Sequence, residues 1–224
     1  MVSINKPSIG CNNIMNIICH RGLWREKKCQ NTIQSFSLAF EKCFGVETDI
    51  RDYNGMLVIS HETADKSAVP FVEFLSLYKA LGNNCLLALN IKADGLQELL
   101  FSHLDSYEIK NYFVFDMSVP DALLYAKLGI NTYTRHSEHE RVPAYYEKAC
   151  GVWLDEFDGH WVTGGVIEQH LSASKSLCIV SPELHGRSFD KEWQHYRKIE
   201  DKIGKDRLTL CTDFPEHAMD FFNA

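Results

Sequence analysis

A chain of 224 residues suits one domain built on one sizeable core, and its 45% hydrophobic and 24% charged composition is that of an ordinary globular protein. A formal net charge of −7, with no lysine- or arginine-rich block, argues against a nucleic-acid partner, which calls for a basic footprint. No apolar run approaches the ~18 residues of a membrane helix, and Met1–Asn13 lacks the apolar stretch of a secretory signal; the expected setting is the cytoplasm, without stable membrane association.

Short apolar strands alternate with helical patterns along the chain. Ile14–Cys19 reads as the first strand, and Ile33, Phe36, Ala39, Phe40 and Cys43 recur at helical spacing from Thr32 to Phe44, with Asn31 or Thr32 as N-cap. Val46–Arg51 is the second strand. Asn54-Gly55 is a hairpin turn signal, after which Met56–Ser60 returns as an inserted strand. Further strands are expected at Leu86–Ile91, Phe113–Phe115, Asn131–Thr134, Val152–Leu154, Leu177–Val180 and Leu208–Cys211. Helices are expected at Phe71–Leu81, Leu96–Leu104, Asp121–Leu128, Ala144–Ala149, Val166–Ser174, Glu192–Ile203 and Glu216–Phe222.

Eight strands alternating with helices over residues 1–224, with no linker or repeat, predict an α/β fold: a single (β/α)8 TIM barrel with a small β-hairpin inserted after strand two. A doubly wound open sheet is the alternative, weakened by the lack of G-x-G-x-x-G or P-loop sequences. Eight cysteines are enough for a disulfide framework, but Cys19, Cys85, Cys178 and Cys211 sit in apolar runs and no pair has C-x-x-C spacing. They read as small buried hydrophobes.

In a (β/α)8 barrel the active site forms at the C-terminal strand ends, and polar residues gather there. The first strand delivers His20-Arg21, and the second carries Glu47, Asp49 and Arg51 on one face, because strand side chains alternate. The inserted strand ends in His61-Glu62, and the third barrel strand carries Asn90 and Lys92 on one face. Asp116, Arg135-His136-Ser137-Glu138, Asp155-Glu156, Glu183, His185, Arg187 and Thr212-Asp213 end the others. Two carboxylates inside a barrel need compensation. Glu47 and Asp49 suit Mg²⁺ or Ca²⁺; an ion pair with Arg51, Arg21 or Lys92 is the alternative. Trp153 and Trp161 fit core packing or rim cover better than an aromatic cage for a quaternary ammonium.

The elements His20-Arg21-Gly22, Gln30-Asn31-Thr32, Glu47-Thr48-Asp49, His61-Glu62, Asn90-Ile91-Lys92 and Thr212-Asp213-Phe214-Pro215 resemble, in order and approximate spacing, the motifs of the glycerophosphodiester phosphodiesterase family. The resemblance frames nearly the whole chain, although its middle third carries no family motif. It implies a hydrolase that cuts a small-molecule glycerophosphodiester with a divalent cation, Mg²⁺ or Ca²⁺. By this resemblance His20 and His61 are the catalytic pair, Glu47 and Asp49 the strand-two metal ligands, and Arg21 and Lys92 the phosphate contacts. Gln30 and Glu62 are mild departures. Asn90, where the family has an acidic ligand, keeps an oxygen donor but removes one negative charge, so the metal binds more weakly or Asp116, Glu156 or Glu183 assists.

A cation with Arg21 and Lys92 can neutralise the phosphoryl oxygens, and two histidines can supply a base and an acid. Arg135, Glu183 and His185 are expected to contact the substrate's alcohol, a polar one. The alternatives are a cyclising diesterase, in which a substrate hydroxyl attacks phosphorus, and a barrel that binds a phosphoester or glycan without turning it over.

Overall fold

The computed structural model describes residues 15–82, 84–204 and 207–224. In chain order its elements are β1 (Asn16–His20), α1 (Ile33–Glu41), β2 (Gly45–Tyr53), β3 (Met56–Ile59), β4 (Val69–Pro70), α2 (Phe71–Leu81), β5 (Leu87–Ile91), α3 (Gln97–Ser106) and β6 (Tyr112–Phe115). They continue with α4 (Val119–Lys127), β7 (Tyr133–His136), β8 (Gly151–Leu154), α5 (Gly164–Ser172), β9 (Ser176–Val180), α6 (Asp190–Ile203), β10 (Leu208–Thr212) and α7 (Pro215–Asn223). The segment Met1–Asn13 and Ile14, the expected start of strand one, lie outside the described residues.

Parallel pairing runs β6–β5–β2–β1–β10–β9–β8–β7. A parallel bridge between Val114 and Thr132, with the Val114 amide donating to the Asn131 carbonyl at 2.8 Å, links β6 back to β7 and closes the ring. The result is the (β/α)8 barrel expected from the strand–helix alternation. Off β2 hangs the inserted hairpin: β3 pairs antiparallel with it, and β4 with β3. Its turn residues Asn54 and Gly55 both have positive φ, 49° and 76°, the conformation that suits a two-residue hairpin with strand twist.

Local signals explain several boundaries. Thr32 caps α1, accepting from the Ser35 amide while the Ser35 side chain accepts from the Thr32 amide. Ser118 caps α4 just ahead of Pro120, whose missing N–H costs nothing in the first turn. Two apolar layers result. Ile18, Ala88, Phe113, Phe115, Tyr133, Trp153, Cys178, Val180 and Cys211 fill the barrel interior, where Phe113 stacks on Tyr133 at 3.8 Å and Phe115 on Trp153 at 4.0 Å. Trp153 is thus barrel filling. The larger cluster lies between the sheet and the helices. Cys19, Cys85, Cys178 and Cys211 are buried, as their apolar neighbours in sequence suggest.

The expected helix Ala144–Ala149 is absent; the segment is a run of turns. Tyr145 has a φ of 44°, which interrupts any helical ladder, and its hydroxyl donates to the Tyr133 carbonyl at 3.1 Å. The Thr134 hydroxyl donates to the Ala144 carbonyl at 2.6 Å. Pinning to β7 wins over local helical spacing. No described helix is long and apolar enough to cross a membrane.

Candidate active site

Strand parity decides what enters the mouth. Cα register pairs His20 with Glu47 and Asp49 with Asn90, which places His20, Glu47, Asp49 and Asn90 on the inward face with Lys92 just beyond. After β1 the chain turns sharply: Arg21 has a φ of 57° and Gly22 of 86°. A Cβ on Gly22 would sit 2.4 Å from Ser35 Oγ and 2.9 Å from the Ser35 carbonyl carbon, so only glycine fits there. The turn sends the Arg21 amide onto the Glu47 carbonyl at 2.9 Å and the Arg21 side chain onto Asp49, with Nε 3.0 Å from Oδ2.

Asp49 is fully buried and is the hub of this side. Besides its ion pair with Arg21 it accepts from Asn31 Nδ2 at 2.8 Å and faces Lys92 Nζ at 3.4 Å. Asn31 in turn accepts from the Thr48 hydroxyl at 2.9 Å, which explains the asparagine of the Gln30-Asn31-Thr32 element. The ion pair that sequence left open between Arg51, Arg21 and Lys92 is made by the last two. Glu47 is equally buried but less compensated. Burial and the neighbouring Asp49 charge push its carboxyl up to about 7, against the downward pull of His20, Arg21 and Lys92.

His20 lies between two carboxylates. Its Nδ1 is 2.7 Å from Asp213 Oδ1, and its Nε2 is 4.0 Å from Glu47 Oε2. Burial alone would lower its pKa, but the Asp213 hydrogen bond and the fields of Glu47 and Asp213 outweigh that and raise it. Asp213 is braced in turn. Glu183 accepts from the Asp213 amide at 3.1 Å and from the Thr212 and Ser181 hydroxyls.

His61 follows β3 and is half exposed, paired with Glu62 at 2.8 Å. Its position relative to His20 follows from backbone pairing. The Glu47 carbonyl accepts from the Arg21 amide and the Asp49 carbonyl accepts from the Ser60 amide at 3.1 Å. The ends of β1 and β3 therefore meet along one edge of β2, two residues or roughly 7 Å apart. Both histidines flank that edge.

The opposite side of the mouth is a second charged set. Arg135 donates to Asp116 and lies 3.8 Å from Asp155 Oδ2 and 3.5 Å from Glu140 Oε2. His185 Nε2 is 2.6 Å from Asp155 Oδ1. Lys92, 3.9 Å from Asp116, links this set to Asp49. Glu156 does not join it. On the outward parity it accepts from the Trp161 and Val162 amides at 2.8 Å, from Tyr196 and from His160, and so cannot assist a metal in the mouth. Trp161 donates to the Asp155 carbonyl at 2.9 Å as cover beside the rim.

Among the described residues no three His, Cys, Asp or Glu side chains are gathered as a metal site. The residues that would hold a cation are Glu47, Asp49 and the amide of Asn90. Their oxygen donors suit a hard divalent cation, and Asn90 Oδ1 is buried without a hydrogen-bond partner.

No protein-family model matches the sequence, and no curated protein matches it significantly. Solved structures do. A Galdieria sulphuraria protein assigned as a glycerophosphodiester phosphodiesterase superposes with a TM-score of 0.77 at 18% identity, over 95% of this chain and 99% of that one. The fold is that of the glycerophosphodiester phosphodiesterases. The Agrobacterium tumefaciens glycerophosphodiester phosphodiesterase gives a TM-score of 0.67 at 13% identity, over 94% of this chain and 100% of its own. An Oleispira antarctica phosphodiesterase in complex with the product sn-glycerol-3-phosphate gives 0.66 at 14%, over 94% and 98%. The likeness in fold agrees with the barrel expected from the motif resemblance.

Two features escaped sequence reasoning: the Asp213 partner of His20 and the Asp155–His185 pair. Each joins strand ends distant in sequence, and the only available signal was a carboxylate ending a predicted barrel strand.

Proposed function

We propose that the protein is a phosphoric diester hydrolase acting on glycerophosphodiester-like small molecules. One observation carries this reading: His20, oriented by Asp213, presents Nε2 to a mouth that also holds Glu47, Asp49, the unpartnered Asn90 oxygen, Arg21 and Lys92. A carboxylate can only accept at Nδ1, so neutral His20 carries its hydrogen there and its lone pair at Nε2. Nε2 is then the base that takes the proton of the attacking oxygen, and Asp213 stabilises the imidazolium that forms. His61, further along the same edge of β2, gives a proton to the departing alkoxide. Arg21 and Lys92 hold the phosphoryl oxygens.

Glu47, Asp49 and Asn90 would hold the divalent cation, Mg²⁺ or Ca²⁺, which when bound supplies further positive charge to the phosphoryl group. Glu183 braces Asp213, while Arg135 and His185 face the substrate's alcohol. Turnover of bis(p-nitrophenyl) phosphate, with Asp49→Ala as control, tests the reading. Product analysis on an alkyl diester then separates hydrolysis from a cyclic phosphate. No turnover by the wild type with either metal would leave a binding barrel instead.

A further inference from the structure

The far side of the mouth is distinct from the phosphate side in both charge and geometry. Asp116 ends β6 with a φ of 72°, a left-handed conformation that aspartate tolerates. From there its carboxylate meets both Lys92 and Arg135. Asp155, buried at the end of β8, divides its two oxygens between His185 and Arg135. The rings of Phe157 and His185 lie 4.6 Å apart, and the Arg135 guanidinium sits 5.5 Å above Phe157. Phe157 is itself held, its amide donating to Glu138 at 3.1 Å.

The charges decide what this surface can bind. Asp116, Glu140 and Asp155 are matched by Arg135, by Lys92 that is shared with Asp49, and by the hydrogen-bonded His185. A second phosphate would meet three carboxylates. A quaternary ammonium needs an open aromatic face, yet Phe157 carries Arg135 and His185, while Phe115 and Trp153 are buried against each other. What remains is a fixed alternation of carboxylate acceptors and N–H donors. Groups that both donate and accept match such an array, and hydroxyls do.

Resting on the phosphodiesterase reading, we propose that Asp116, Arg135, Asp155 and His185 form the specificity site for the alcohol of the diester, and that this alcohol is a polyol or sugar. Its hydroxyls donate to Asp116, Asp155 and the remaining ring nitrogen of His185, and accept from Arg135. A substrate lacking them leaves the remaining hydrogen-bonding positions of these partly buried groups unfilled, the arrangement that gives discrimination.

The test compares glycerophosphoinositol, glycerophosphoglycerol and glycerophosphocholine with bis(p-nitrophenyl) phosphate on the wild type, His185→Gln and Arg135→Lys, each checked for folding by circular dichroism. The expected result is kcat/KM at least about tenfold higher for the polyol diesters than for glycerophosphocholine. Either substitution should cut that preference, mainly through KM. Equal or greater activity on glycerophosphocholine, or a preference that survives both substitutions, overturns the proposal. If the wild type turns over no diester, the phosphodiesterase reading fails separately. Calorimetric binding of sn-glycerol-3-phosphate and myo-inositol then decides: binding weakened in His185→Gln sustains the site, and no binding overturns it.

Discussion

Asp213 Oδ1 lies 2.7 Å from Nδ1 of His20, across the seam where the last strand of the barrel meets the first. The two residues are 193 positions apart, so the pair exists only because the barrel closes. It fixes the imidazole tautomer and ring orientation while leaving Nε2 free for chemistry.

Asp213 is therefore a positioning residue, and its replacement should act on kcat. Asp213→Asn is expected to lower kcat on the order of 10²–10⁴-fold, the usual share of general acid–base catalysis, with little change in KM. Asp213→Glu should restore part of the loss. Steady-state kinetics on one diester check this; a loss confined to KM would place Asp213 in binding instead.

Metal dependence is the expected outcome of the proposed donor set. EDTA should abolish activity and Mg²⁺ or Ca²⁺ restore it, and Glu47→Gln should weaken the cation. Asn90→Asp returns a carboxylate to a buried position that now offers one amide oxygen, and should tighten cation binding by at least about tenfold. Calorimetric titration reads this independently of turnover. Full activity after exhaustive chelation would remove the cation from the mechanism.

How far the sequence reached depends on which rule governs each residue. Parity along a strand is local, so the inward set Glu47, Asp49, Asn90 and Lys92 was legible once β2 and β5 were drawn, and the register confirms it. Gly22 was legible as part of a motif, though its reason, the Ser35 backbone beneath it, was not. Pairs made by closure or by loops were not readable: His20 with Asp213, or Asp155 with His185 thirty residues on. The failed helix at Ala144–Ala149 has the same origin, since contacts to Tyr133 and Thr134 override its periodicity.

A pH dependence of stability follows from His170, buried on α5 between His136 Nδ1 at 2.9 Å and the Tyr146 hydroxyl at 2.8 Å. Burial first, then the charges of His136 and Lys175, push its pKa down to about 4. Its folded value lies below its unfolded value near 6.5, so between these pH values the unfolded chain binds more protons. Stability should be full above about pH 6.5 and fall as pH drops towards 4, by up to ~3 kcal/mol from this group. Urea unfolding at pH 7.5 and 5 reads the slope. His170→Gln, which keeps hydrogen-bonding capacity without titrating, should flatten it; an unchanged slope would assign the effect to other groups.

The last prediction divides labour between the histidines. Bond cleavage needs one proton removed from the attacking oxygen and another given to the departing alkoxide, so one histidine must be neutral and the other charged in the productive state. His20 has its Nδ1 committed to Asp213 and its Nε2 towards Glu47, which suits the base. His61 is half exposed at the end of the inserted hairpin, which the Ser60–Asp49 backbone bond anchors to the rim, and this suits a group reaching over the leaving oxygen. A p-nitrophenolate hardly needs protonation, whereas an alkoxide does. His61→Ala should therefore keep far more of its activity on bis(p-nitrophenyl) phosphate than on an alkyl diester, and His20→Ala should be crippled on both. The reverse pattern would exchange the two roles. Equal losses for both variants on both substrates would mean that neither histidine is confined to one proton transfer.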